Sequence, residues 1–255
     1  MAWQYTTIER DGPIAIVRFD RKQNLNAFNQ ALIQELTEVA RGFQDDLEVH
    51  GVVLTGAPQA FSAGADLKDA ASWQVGELTD LERRQRFHAG VRLCKAWEEL
   101  PQITVAAMER MAVGAGIAIG LACDWRVLDR DGFLYVPEMK IGLNLQWGAL
   151  PRLITLVGPA RAKRICLMCE RMDAAGALDW GLVDELAETG KTVDVAKSML
   201  QAALAHPAAT VRLVKEAVNA TANALHRATS YADADQSQLT AAFAGARSAR
   251  DDFKR

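Results

Sequence analysis

Three short segments contain the residue types that could do chemistry: residues 61–69 (FSAGADLKD), 110–124 (RMAVGAGIAIGLACD) and 136–153 (VPEMKIGLNLQWGALPRL). Each follows or contains the end of a predicted strand. In the first two, Gly and Ala leave backbone N–H groups unobstructed, and the second leads into a predicted helix, whose N-terminus concentrates partial positive charge. Together they could form an anion hole. Taken singly, each is also explained by close packing of a helix on a strand.

Glu138 is the candidate acid/base of the third segment. Its neighbours are apolar, namely Val136, Pro137, Met139, Ile141 and Leu143. Desolvation disfavours a charged carboxylate and raises its pKa towards neutrality, as proton transfer at cellular pH requires. An ion pair with Lys140 or Arg152 is the alternative. Taken together with the two Gly-rich segments, the position of Glu138 after a predicted strand favours an acid/base beside an anion hole over an ion pair.

The elements that must position these segments are strands connected by helices. Predicted strands cover residues 14–19, 49–55, 103–108, 125–128 and 133–136. Between the first two, apolar side chains from Phe28 to Phe43 recur at spacings of three and four, which predicts an amphipathic helix, and Asn26 is its predicted N-cap.

After Gly158 the sequence predicts helices only. They cover residues 160–170, 173–185, 192–205 and 209–225 and a tail with an apolar face. We therefore expect an α/β fold with a core over residues 1–195, which holds the site, and a helical C-terminal region over residues 196–255.

Composition and charge exclude several classes of function. The 255 residues carry a formal net charge of −3, whereas nucleic-acid binding needs a basic face. The longest apolar stretch, residues 111–123, contains three glycines and is shorter than the roughly 20 residues that span a bilayer. The first residues do not have the pattern of a secretory signal, so we expect a cytoplasmic protein.

The four cysteines are Cys94, Cys123, Cys166 and Cys169, and only the last two are close in sequence. Zinc normally takes four ligands, so we interpret them as reduced, buried thiols and predict no metal site.

The chain resembles the enoyl-CoA hydratase/isomerase (crotonase) family over essentially its whole length. The resemblance lies in DRKQNLNAF near Asp20, GAPQAFSAGADLKD from Gly56, AVGAGIAIGLACDWRV, VPEMKIGL, GPARAKRICL and ALDWGLVDE, which follow the family's order and spacing. It implies a spiral core of ββα repeats, a helical C-terminal region that forms a trimer or a dimer of trimers, and an acyl-CoA thioester as the substrate. No cofactor beyond this coenzyme A is implied.

The resemblance assigns catalytic roles to three residues. The backbone N–H groups of Ala65 and Ala115 match the two that polarise the thioester carbonyl, and Glu138 matches the second of two glutamates in the family's hydratases. The first glutamate is replaced here by Ala118. A single glutamate is sufficient to move a proton between the α and γ carbons, so the pattern resembles the single-glutamate isomerases, with hydration left open.

The resemblance also implies substrate contacts. Arg21 and Lys22 match positions near the adenine and phosphates, and Ala63, Asp66, Leu67 and Lys68 match positions around the nucleotide and pantetheine. Gly114 belongs to the same binding region. A solvated surface role is the alternative for the basic residues.

Residues 143–147 and the tail complete the predicted site. Gln146 stands where dehalogenase relatives carry a nucleophilic Asp, and an amide cannot take that role. Gln146 could instead bind a water or a polar acyl group, while Leu143 and Trp147 form apolar wall, with core packing as the alternative. Phe253 and Lys254 resemble a Phe-Lys pair that reaches a neighbouring subunit's ligand.

Two other functions use the same residues. Hydrolysis or C–C cleavage of a specialised acyl-CoA, such as an aromatic one, differs only in the pocket. A catalytically silent family member that acts as a binding protein is the alternative outside enzymology, suggested by Ala118.

Overall fold

The computed structural model describes residues 3–69 and 76–253. Its main sheet has six strands in the order β1-β2-β3-β4-β6-β9. They are β1 (Thr6–Asp11), β2 (Ile14–Phe19), β3 (Gly51–Thr55), β4 (Ile103–Met108), β6 (Trp125–Asp129) and β9 (Glu185–Ala187). The first pair is antiparallel and the other pairs are parallel.

A second, three-stranded sheet pairs β5 (Met111–Val113) with β7 (Phe133–Tyr135) in parallel and β7 with β8 (Met172–Asp173) antiparallel. It stands beyond the carboxyl ends of β4 and β6, because β5 follows β4 after two residues and β7 follows β6 after three. The backbone thus carries each Gly-rich or acidic segment away from the main sheet at its carboxyl edge, where ligand sites of parallel sheets form.

The helices connect the strands and then form the C-terminal region. They are α1 (Gln30–Phe43), α2 (Asp80–Phe87), α3 (Ala89–Glu98), α4 (Ala115–Leu121), α5 (Ala149–Met168), α6 (Ala174–Asp179), α7 (Thr192–Leu204), α8 (Ala208–Ala222), α9 (His226–Ser230), α10 (Asp233–Ala242) and α11 (Ala244–Phe253). Short 3₁₀ turns cover Asn24–Asn26 and Glu138–Ile141. No helix in the described ranges is both long and apolar enough to cross a membrane.

Both faces of the four central strands, β2, β3, β4 and β6, are largely buried, which explains their near-continuous apolar sequences. In β2, Val17 and Phe19 point into the larger core, which also contains Trp97, whereas Ile14 and Ile16 point into a smaller core under α7. Side chains alternate between the faces because successive residues of a strand point in opposite directions.

The structure confirms the predicted strand limits at residues 14–19 and 103–108 and corrects other predictions. The sequence did not predict β1 or β5. Short strands β8 and β9 lie where only helix was predicted, and α6 ends at Asp179. The N-cap of α1 is Asn29, whose side chain accepts a hydrogen bond from the Leu32 amide at 2.9 Å, and not Asn26. Asn26 has a left-handed backbone, and its side-chain amide Nδ2 donates to the backbone carbonyls of Phe19 and Phe61.

The last two helices lie close to the third predicted site segment. A Cβ at Gly142 would overlap Ala246 of α11, so this helix rests on the turn that begins at Glu138. Helix α7 crosses the predicted boundary at residue 195 and buries Ala196 and Leu200 against the main sheet. The division of the chain there stays a prediction.

Candidate active site

Two backbone loops meet at the candidate anion hole. The amide of Ser62 donates to the Met111 carbonyl at 3.1 Å, and the amide of Val113 donates to the Ser62 carbonyl at 3.0 Å. Gly64 has a φ of +93°, and a Cβ there would lie 3.0 Å from the Val113 oxygen and 3.7 Å from the Ala115 nitrogen. Glycine permits this close approach, which brings Ala65 and Ala115 to one cavity.

The N–H groups of Ala65 and Ala115 have no protein acceptor in the described part of the chain. Ala115 is the first residue of α4. The first hydrogen bond of this helix runs from the Ala118 amide to the Gly114 carbonyl, at 3.0 Å. The partial positive charge of the helix N-terminus therefore lies at this point. The geometry leaves both amides available for an oxyanion.

Glu138 follows β7 and begins the second 3₁₀ turn. The residue is half-buried, but its Oε2 is fully buried without a hydrogen-bond partner, and burial raises the pKa of the carboxyl to about 7. This confirms the raised pKa that the apolar sequence neighbours predict. Neither predicted ion-pair partner is engaged with it, because Arg152 binds Glu98 and the Lys140 ammonium lies over the Tyr135 ring.

A cavity of about 180 Å³ joins these groups. Its lining includes the predicted residues Ala63, Ala65, Leu67, Gly114, Ala115, Glu138, Leu143, Gln146 and Trp147. Ala118 also lines it, and among the described lining residues Glu138 is the only carboxylic acid. Ala118, which stands where the family's hydratases carry their first glutamate, therefore contributes only a methyl group to the cavity wall.

Arg21 and Asp66 are placed differently from the other predicted contacts. They form a buried ion pair at 2.7 Å, with side chains only 5% and 6% exposed, and Arg21 Nη1 also donates to the Ala27 carbonyl. Burial opposes ionisation of Asp66, but hydrogen bonds from Arg21, the Lys68 amide and Asn24 outweigh it and lower its pKa. The pair holds two loops together, and the contacts of both residues with coenzyme A stay predictions.

Lys22 and Lys68 are exposed on those same two loops, where a phosphate could reach them. Phe253 is the last residue of α11, and Lys254 lies outside the described residues. Their contacts with coenzyme A stay predictions.

Several residues that line the cavity were not predicted from the sequence to belong to the site. Phe28 was assigned to a helix face, but it precedes α1, pairs with Ala65 and lies in the cavity wall. Ser237 reaches the cavity from α10, a position that no local pattern indicates. Outside the cavity lining, His88 has a side chain only 13% exposed, with Nε2 3.1 Å from Asp235 Oδ1.

Unpaired backbone amides beside a buried carboxyl of raised pKa, in a mostly apolar cavity, are suited to stabilise an oxyanion and to move a proton. The fold and the site together define an α/β protein with two unpaired backbone amides and one carboxylic acid around a cavity.

Comparison with known proteins gives the family. The model of the enoyl-CoA hydratase/isomerase family matches residues 9–254. A short-chain-enoyl-CoA hydratase of Clostridium acetobutylicum is 30% identical over 213 residues, which are 83% of this chain and 80% of that protein. A solved enoyl-CoA hydratase from Bacillus anthracis has a TM-score of 0.78 at 27% identity and covers 84% of this chain and 82% of its own.

An enoyl-CoA hydratase structure from Bacillus halodurans has the same fold, with a TM-score of 0.89 at 20% identity over 98% of this chain and 100% of its own. The chain belongs to the enoyl-CoA hydratase/isomerase family, with the crotonase fold and a helical C-terminal region.

Proposed function

We propose that the chain is an enoyl-CoA hydratase/isomerase that works through a thioester enolate, with Glu138 as its single acid/base. The observation that carries the proposal is the position of the Glu138 carboxyl: its Oε2 is buried without a hydrogen-bond partner, and its Oε1 lies against Gly114, the residue before the free amide of Ala115. The names of the relatives support an enoyl-CoA substrate.

The proposed reaction on a 3-enoyl-CoA has two proton transfers. Ionised Glu138 takes a proton from the α carbon, and the electron pair moves onto the thioester oxygen to form the enolate. The N–H groups of Ala65 and Ala115 stabilise this oxyanion, and the loss of one such donor typically costs about 100- to 1,000-fold in rate. Glu138 then returns the proton to the γ carbon, the double bond moves to the 2,3 position, and the carboxylate is restored.

A carboxyl of pKa about 7 suits both steps, since near neutral pH it is present in both protonation states. The methyl group of Ala118 favours double-bond migration over hydration, because hydration also requires a group that orients and activates water. Hydration is the second candidate, and Gln146 supports it, since this amide lines the cavity and can bind a water.

The coenzyme A part of the substrate extends, in this proposal, from Ala63 and Leu67 in the cavity wall towards the exposed Lys22 and Lys68. Hydrolysis or C–C cleavage of a specialised acyl-CoA would use the same amides and differ in products.

A homotrimer or a dimer of trimers is the proposed assembly. Support comes from helix α8, where Leu213, Val214 and Val218 are 65%, 57% and 57% exposed. A largely apolar groove of about 490 Å³ lies beside it and includes Leu121 and Leu156. Light scattering coupled to size exclusion gives the mass directly, and a monomer would contradict this assembly.

Glu138→Gln tests the proposal with little change in shape. We expect at least a roughly 100-fold loss of turnover of 3-enoyl-CoA, because the amide cannot take the proton, with unchanged thioester binding by calorimetry. Near-normal turnover in this variant would overturn the assignment. Tight thioester binding by the unaltered protein without turnover of any acyl-CoA would instead identify a silent binding member of the family.

A further inference from the structure

The peptide group between Trp147 and Gly148 has an unusual conformation. Both residues lie in the left-handed region, with φ of +63° and +68°. Glycine adopts it without strain, but for a residue with a bulky side chain it costs on the order of 1 kcal/mol or more and persists only where the surroundings enforce it. Contacts from neighbouring residues must therefore hold this peptide in its conformation.

Two buried side chains hold this one peptide group from opposite ends. The Trp147 carbonyl accepts a hydrogen bond from Arg152 Nη1 at 3.0 Å, and the Gly148 amide donates to Asp233 Oδ2 at 2.7 Å. Arg152 is itself fixed by two hydrogen bonds to the Glu98 carboxylate at 2.7 and 2.9 Å. Charge-assisted hydrogen bonds of this kind are strong and directional.

The held peptide determines where the Trp147 indole lies. Its ring packs edge-on against Phe28, with centroids 5.6 Å apart, and lies so close to Gly90 that a Cβ there would overlap it. The indole forms part of the wall of the cavity that contains Glu138. A change at the peptide therefore moves the wall that an acyl chain meets.

Asp233 is the first residue of α10, which makes two further contacts with the same region. Ser237 of this helix is buried in the cavity wall, and Asp235 pairs with His88 between α2 and α3. Helix α10 therefore contacts both the peptide that carries the Trp147 indole and the cavity wall that the indole helps to form.

We propose that Asp233 and Arg152 act as positioning residues that clamp the Trp147–Gly148 peptide, so that docking of α10 fixes Trp147 as the acyl-chain wall and sets the length of acyl group accepted. This inference rests on the proposed function for its substrate class. The clamp itself is independent of the reaction.

The test compares Asp233→Ala, which removes the acceptor, with Asp233→Asn, which keeps an oxygen for the Gly148 amide. Gln236→Ala is the matched control, since Gln236 is exposed on the same helix. We expect Asp233→Ala to raise the ratio of kcat/KM for an eight-carbon over a four-carbon enoyl-CoA on the order of tenfold, mainly through KM, because even one methylene group in an apolar pocket changes discrimination by about 10- to 200-fold. Asp233→Asn should restore most of the original ratio, and Gln236→Ala should keep it. Equal ratios in all three variants would overturn the clamp.

Two readouts do not depend on turnover. Acrylamide quenching of Trp147 fluorescence, taken as the difference from a Trp147→Phe background, should increase in Asp233→Ala but not in Gln236→Ala. Should Asp233→Ala not fold, hydrogen exchange on the unaltered protein decides: the Gly148 amide should be protected, and rapid exchange there would overturn the inference. Failure of turnover with intact protection would count against the proposed function alone.

Discussion

Gly114 and Glu138 lie in direct contact: a side-chain carbon at position 114 would overlap Oε1 of the glutamate. Gly114 also has a φ of +47°, and its carbonyl accepts the first hydrogen bond of α4. A single glycine thus allows the proposed acid/base and the first amide of the helix to occupy neighbouring positions, which is the arrangement that the proposed enolate chemistry requires.

Gly114→Ala should therefore lower turnover about 100-fold or more, because the added methyl group displaces the carboxyl and strains the loop that presents the Ala115 amide. Steady-state kinetics measures this. Gly42→Ala is the control, since no atom lies within 4 Å of a Cβ there and the site is exposed on α1. It should keep full activity and gain about 0.5–1 kcal/mol of stability. Equal activity of the two variants would contradict the placement of Glu138.

The raised pKa of Glu138 predicts how stability depends on pH. The folded carboxyl, with a pKa of about 7 against an ordinary 4.5, holds its proton more tightly than the unfolded chain does. The free energy of unfolding should therefore fall as pH rises from about 4.5 to 7, and by about 3 kcal/mol in total from this group.

Glu138→Gln isolates that contribution, because the amide stays neutral. Denaturant unfolding should show the variant more stable than the unaltered protein at pH 8, with the difference vanishing near pH 4.5. A variant that is less stable at pH 8 would mean that the carboxylate has a partner when ionised.

Ala118→Glu should introduce hydration by placing a second carboxylate in the cavity. Ala118 is only 1% exposed, so the longer side chain has to project into the cavity, and overpacking costs typically about 1–3 kcal/mol. Ala118→Gln has the same size without the charge and controls for this cost. Product analysis on a 2-enoyl-CoA should find more 3-hydroxyacyl product with Glu than with Gln. Equal yields would mean that the position has no part in activating water.

The buried Arg21–Asp66 pair predicts a stability effect. Asp66→Ala leaves the Arg21 charge uncompensated and should lower the free energy of unfolding by about 3–5 kcal/mol. Arg10→Ala breaks the Arg10–Asp46 pair, whose arginine is 54% exposed, and should cost less than about 1 kcal/mol. If Asp66→Ala lowers the free energy of unfolding as little as Arg10→Ala but weakens coenzyme A binding, the Arg21–Asp66 pair binds the ligand and does not stabilise the loops.

The sequence predicted those parts of the fold that depend on local pattern. Strands β2 and β4 were placed at their observed limits because both of their faces are buried and apolar residues run through them. Strand β1 was missed because Thr7 to Asp11 are exposed at the sheet edge and lack that pattern. The raised pKa of Glu138 was predictable, since its sequence neighbours are also part of its surroundings.

Features that depend on distant residues could not be predicted. Arg21 and Asp66 are separated by 45 positions, and nothing near either one indicates that it meets the other. Trp147 adopts a backbone conformation that its residue type disfavours, enforced by Arg152 and by Asp233 from the tail. Tertiary contacts override local preference there.

Mass spectrometry of a medium-chain 3-enoyl-CoA incubated with the protein in heavy water tests the central claim most directly. We expect an isomerised 2-enoyl product that gains no heavy-water unit and carries deuterium on carbon only where the proton held by Glu138 exchanges with solvent, and we expect no isomerised product with Glu138→Gln. A product that has gained a whole heavy-water unit, formed at a rate that Glu138→Gln does not reduce, would contradict a single-glutamate proton shuttle.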